Sequence, residues 1–173
     1  MKALAVFAAL IAALLAQTTV AGLSLELGTL VNFVLVAVMC VALSFGALTG
    51  LLAGAVGGLV QDAVAGGIVG IGGISKTLVG FLVGAVGAHF IVSQPLPRLV
   101  IFLGGTVLHE LCFQSLYALV ELRPVQFAWQ TMLTQAAING IIGLLALQIV
   151  ESAPALKQRR EARRATFARS RRF

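Results

Sequence analysis

His109 and Glu110 stand side by side inside the apolar run 98–120. Ionisable groups within such a run are costly and by default mark a functional site. Zinc hydrolysis would need a second histidine one helical turn after the His–Glu pair, and Phe113 stands there instead. An ion- or proton-coupled transporter could use both side chains. A polar lock between helices needs only partners, and the chain offers them. Thr106, Glu110, Gln114 and Tyr117 share one helix face at spacings of four, four and three. Thr131, Gln135 and Asn139 make a second stripe, four apart, in the run 127–150. The simplest arrangement sets the stripes face to face, with Glu110 accepting from Gln135 or Asn139. A structural lock is the expectation; a small-ligand or ion site is its rival. No enzyme is expected, because the chain shows neither a serine-centred nucleophile elbow nor paired carboxylates on one face. Cys40 and Cys112 lack metal or redox spacing and read as small buried hydrophobes. No metal or cofactor is expected. His89 lies near the end of an apolar run and reads as an interfacial residue.

Asp62 and Lys76 flank a glycine-rich turn containing Gly66, Gly67, Gly70, Gly72 and Gly73. An ion pair between them would close that turn. The turn is not a phosphate loop, since it lacks the Gly-Lys-Ser/Thr ending and no strand precedes it. Ahead of it Gly46, Gly50, Gly54 and Gly58 recur every fourth residue; behind it come Gly80, Gly84 and Ala88. Such ridges let helix backbones approach closely inside a membrane. They suit internal packing or a partner helix, and spacing does not choose between the two.

The elements that position these residues follow from composition. The chain has 173 residues, 60% hydrophobic and only 10% charged, against about 25% charged in soluble domains. That describes an all-α integral membrane protein with one transmembrane domain, 1–153, and a basic tail, 154–173. Runs long enough to span a bilayer fall at 3–21, 29–45, 46–62, 74–92, 98–120 and 127–150, giving about six transmembrane helices. Reversals are expected near Ser44–Gly46, at Gly22–Gly28, at Ser93–Arg98 with Pro95 and Pro97, and at Glu121–Pro124. Residues 1–21 also resemble a secretory signal. Alanine ridges at Ala5, Ala9, Ala13 and at Ala8, Ala12, Ala16 suit a retained packing helix.

The tail carries Lys157, Arg159, Arg160, Arg163, Arg164, Arg169, Arg171 and Arg172 against Glu161, while the rest of the chain is close to neutral. Basic residues beside the last span stay cytoplasmic by the positive-inside rule. Counting back puts both termini and Arg98 inside, with Glu26, Asp62, Glu121 and Arg123 outside. Each basic residue near an anionic leaflet contributes about 1 kcal/mol. The tail is expected to hold anionic lipids, with an acidic cytoplasmic partner as the alternative. Nucleic-acid binding is not expected, because the tail reads first as a topology signal.

The ordered series Gly50-Leu-Leu-Ala-Gly54, Gly58-Leu-Val-Gln-Asp62, Gly66-Gly67-Ile-Val-Gly70 and Ser75-Lys76-Thr77 through Gly80 and Gly84 resembles the bacterial rod shape-determining protein MreD family. The match covers about 40 residues. The resemblance implies a non-enzymatic subunit of the cell-wall elongation complex in the bacterial inner membrane. It implies MreC as partner, beside the peptidoglycan glycosyltransferase, the penicillin-binding transpeptidase and the actin-like filament. It also implies a fold similar to the S-components of vitamin transporters. A substrate-binding S-component is therefore the alternative function, and a homo-oligomer is compatible with either. The Arg-rich tail is a departure from the family pattern.

Overall fold

The computed structural model describes the backbone of residues 2–89, 94–125 and 127–170, and the side chains of all of these except 2, 25–27 and 151–170. Among the described residues there are helices and no strands. The helices are α1 (Lys2–Leu23), α2 (Leu25–Leu30), α3 (Phe33–Phe45), α4 (Ala47–Ala65), α5 (Ile71–His89), α6 (Pro95–Val120) and α7 (Trp129–Ser170). Six stretches are long and apolar enough to cross a bilayer: Ala3–Leu23, Gly28–Phe45, Ala47–Ala65, Ile71–His89, Pro95–Val120 and Trp129–Val150. The chain is a multi-pass α-helical membrane protein. Its outer faces carry large exposed apolar side chains such as Leu4, Leu48, Leu78 and Ile149, which lipid rather than water can cover.

One expected boundary moves. Pro95 and Pro97 do not separate spans; they open α6, with the extended Gln94 as N-cap. The first amides of a helix have no acceptor within it, so proline's missing N–H costs little there. At the other end, the sixth span reaches Val150 as expected, and the backbone of α7 continues beyond it as helix to Ser170. The side chains of Arg159, Arg160, Arg163, Arg164, Arg169, Arg171 and Arg172, and those of Lys2 and Glu26, lie outside the described set, so their expected contacts are not described.

The reversal expected near residues 44–46 is found, and it takes one residue. Gly46 has φ 92° and serves as both C-cap of α3 and N-cap of α4. A side chain is strained at that φ. α3 and α5 are half buried along their spans, whereas α1 is 11% buried; the first two are the axis of the bundle and α1 lies against its outside. Around that axis Leu35, Met39, Val79, Val83, Phe102 and Leu147 form the main apolar core. Gly143 on α7 leaves the space that the Phe102 ring fills.

Candidate functional site: a polar layer around a broken span

The α4–α5 hairpin positions the first charged groups. A Cβ at Gly50 would overlap the carbonyl of Gly80, one at Gly54 that of Lys76, and one at Gly58 the backbone of Gly72 and Gly73. Gly84 meets Ala47 in the same way. The ridges therefore hold the protein's own helices backbone to backbone, at the distance small residues permit. Gly46 makes the reversal, with open space where its own Cβ would stand, and its backbone lies beside Ala47 against Gly84 at the end of the seam.

α4 ends at Gly66, in the left-handed conformation usual for a helix stop (φ 70°). From the last turn of α4 the Asp62 carboxylate accepts from the amides of Gly70 (2.9 Å) and Gly73 (3.1 Å), both through Oδ2. Gly73 lies in the first turn of α5, where amides lack partners within the helix. Asp62 thus caps α5, and its charge sits at the favourable end of that helix dipole.

The expected Asp62–Lys76 ion pair is not a direct one. The carboxylate is committed to main-chain amides, and Lys76 lies 2% exposed on α5. From there its ammonium interacts electrostatically with Asp62 and Glu110, and with His109. Lys76 lies inside the helix bundle and is not a clasp on the surface of the turn.

The second span is broken. α2 stops at Leu30 and α3 starts at Phe33, with Val31 and Asn32 between them. Irregular backbone at membrane depth is tolerated only where protein or a water-filled cavity satisfies it, and here side chains do so. Asn32 caps α3, accepting from Leu35 N at 3.0 Å. Gln17 of α1 donates to the carbonyls of Gly28 and Val31, both at 3.1 Å, and accepts from Phe33 N at 2.9 Å. On α7, Gln135 donates to Thr29 O at 3.2 Å and Asn139 accepts from Asn32 N at 3.0 Å.

This overturns the expected pairing of the α6 and α7 stripes. Gln135 and Asn139 serve the broken backbone, and Thr131 is exposed. Glu110 accepts instead from Gln114 one turn along its own helix, at 3.1 Å. His109, buried on α6, brings Nε2 to 3.3 Å from Asn32 Nδ2. Thr106 turns back on the Phe102 carbonyl at 2.8 Å. The lock exists, but its centre is the break at Asn32. Gln17 and Asn32 escaped the stripe pattern because each is a lone amide in an apolar run. The available signal was an asparagine directly before an apolar helix, the usual form of an N-cap.

The layer therefore draws polar groups from five long helices: Gln17 (α1), Asp62 (α4), Lys76 (α5), His109 and Glu110 (α6), and Gln135 and Asn139 (α7), with Asn32 at the start of α3. Among the described residues no three His, Cys, Asp or Glu gather as a metal set. Such an arrangement defines a multi-pass membrane protein with a discontinuous span and a buried polar layer. No family model, curated protein or solved structure matches the chain.

Proposed function

We propose that this protein is an MreD-like membrane scaffold of the bacterial cell-wall elongation complex, without enzymatic activity. In this reading it sits in the inner membrane with both termini in the cytoplasm and helps maintain rod shape by binding MreC and, through it, the peptidoglycan synthases. One observation carries the reading. The residues behind the family resemblance form a single unit, a close-packed α4–α5 hairpin tied at its turn by Asp62. A scaffold needs such a rigid pair, because a surface that bends cannot hold a partner in register.

The glycine ridges are filled by the hairpin itself, so a partner helix must use its other face. There a shallow apolar groove of about 450 Å³ runs along Leu51, Ala55, Leu59, Ile74, Leu78 and Phe81. We place the single span of MreC in that groove. The test is co-purification with MreC from membranes. Ala55→Phe fills the groove and is expected to abolish co-purification while the protein stays folded. Full recovery of MreC with folded Ala55→Phe would falsify this placement.

A further inference from the structure

Beyond the polar layer, the end of α6 borders a cavity of about 380 Å³ lined by Phe113, Gln114, Tyr117, Ala118, Arg123 and Pro124. That is within the range of about 300–1,000 Å³ typical of small-ligand sites. Gln114 spends its Nε2 on Glu110, while its Oε1 is buried with no hydrogen-bond partner among the described residues. Buried acceptors are normally satisfied, so this carbonyl asks for a donor. At the mouth stands Arg123, two-thirds exposed and paired with Glu121. One carboxylate does not exhaust five guanidinium N–H donors, which leaves some for an oxyanion.

The backbone here is arranged at a cost. Glu121 N donates to Tyr117 O and Arg123 N to Ala118 O, each at 3.0 Å. These bonds wrap the helix end around Leu122, which sits at φ 52°. Glycine is the usual occupant of that position, and a leucine there is strained. The strained leucine is 91% exposed, next to exposed Leu119 and Val120. Apolar side chains thus project outward beside a cation, a cavity and an unmet acceptor, all at the end of a membrane-spanning helix. A phospholipid presents the complementary series: acyl chain, phosphate, headgroup donor.

We propose that this cavity binds a phospholipid whose headgroup carries an N–H or O–H donor. The phosphodiester lies on Arg123, the donor on Gln114 Oε1, and the acyl chains along Leu119 and Leu122. Phe113 and Tyr117, with ring centroids 5.4 Å apart, wall the headgroup. Ethanolamine and glycerol headgroups both meet the requirement. Choline carries the same phosphate but neither an N–H nor an O–H. The site is independent of the scaffold reading, since it lies on α6 and uses no residue of the α4–α5 groove.

The full-length protein, purified with an equimolar mixture of phosphatidylethanolamine, phosphatidylglycerol and phosphatidylcholine of matched chains, would be read by native mass spectrometry. The wild type is expected to retain either donor-bearing lipid at least tenfold over phosphatidylcholine; the ratio of the two donor lipids identifies the preferred headgroup. Arg123→Gln, at an exposed position that should leave folding intact, is expected to lose retention of all three. Gln114→Met is expected to keep lipid but lose the preference. Equal retention of phosphatidylcholine by the wild type overturns the proposal without any variant. So does undiminished retention by Arg123→Gln, or a stoichiometric non-lipid molecule in place of lipid.

Discussion

The main-chain amide of Asn32 donates to the side chain of Asn139, 107 residues further along the chain, at 3.0 Å. This bond ties the break in the second span to the sixth. Asn139→Leu removes the acceptor and strands a buried N–H, at a cost of about 1–2 kcal/mol. Thermal unfolding in detergent should show a lower midpoint for this variant. Thr131→Leu, on the lipid-facing side of the same helix, should leave the midpoint unchanged. Equal midpoints for Asn139→Leu and wild type would mean that the break is satisfied in another way.

Substitutions at Asp62 separate its hydrogen bonds from its charge. Both amide contacts go to one oxygen, so Asp62→Asn can keep them while removing the charge near Lys76. Asp62→Ala loses both. We expect stability in the order Asp, Asn, Ala, with about 1–3 kcal/mol for the second step from two unpaired amides. If Asn and Ala are equally unstable, the charge matters and the capping does not.

Glycines in this chain are not interchangeable. Gly54→Ala sets a Cβ against the Lys76 carbonyl and must push α4 and α5 apart, whereas Gly104 has open space around it. Gly104→Ala should be neutral or stabilising by up to about 1 kcal/mol, from helix propensity alone. Gly54→Ala should lower the unfolding midpoint and the yield of folded protein. A tolerated Gly54→Ala would show that the seam is looser than backbone contact.

Leu122 gives a prediction of opposite sign. Leu122→Gly removes the left-handed penalty of about 1–2 kcal/mol and gives back about 0.5–1 kcal/mol as added chain entropy. A small net gain in stability is expected in detergent, where no bilayer rewards the leucine. A drop in the midpoint would show that Leu122 packs on the protein after all.

The spans were legible because apolar runs of the right length have few other uses. The glycine ladder was legible as a tight seam, but which helices it joined was not. That depends on a neighbour, and spacing describes only one helix. Asp62 was misread for a related reason. A sequence displays charges, so a carboxylate near a lysine suggests an ion pair, while the main-chain amides of Gly70 and Gly73 are invisible in it. The broken span was hidden most completely. Asn32 sits in a continuous apolar stretch, and the groups that satisfy the break, Gln17, His109 and Asn139, lie on three other helices.

The break at Asn32 has a consequence for biogenesis. Most spans can rest in the bilayer as soon as they leave the ribosome, because their backbone groups are already paired. The second crossing is different. Its exposed amide and carbonyl groups find their acceptors and donors partly on Gln135 and Asn139, which are made more than a hundred residues later. A chain truncated before the sixth span would hold these groups unpaired in lipid. The second crossing is thus complete only once the sixth has been made.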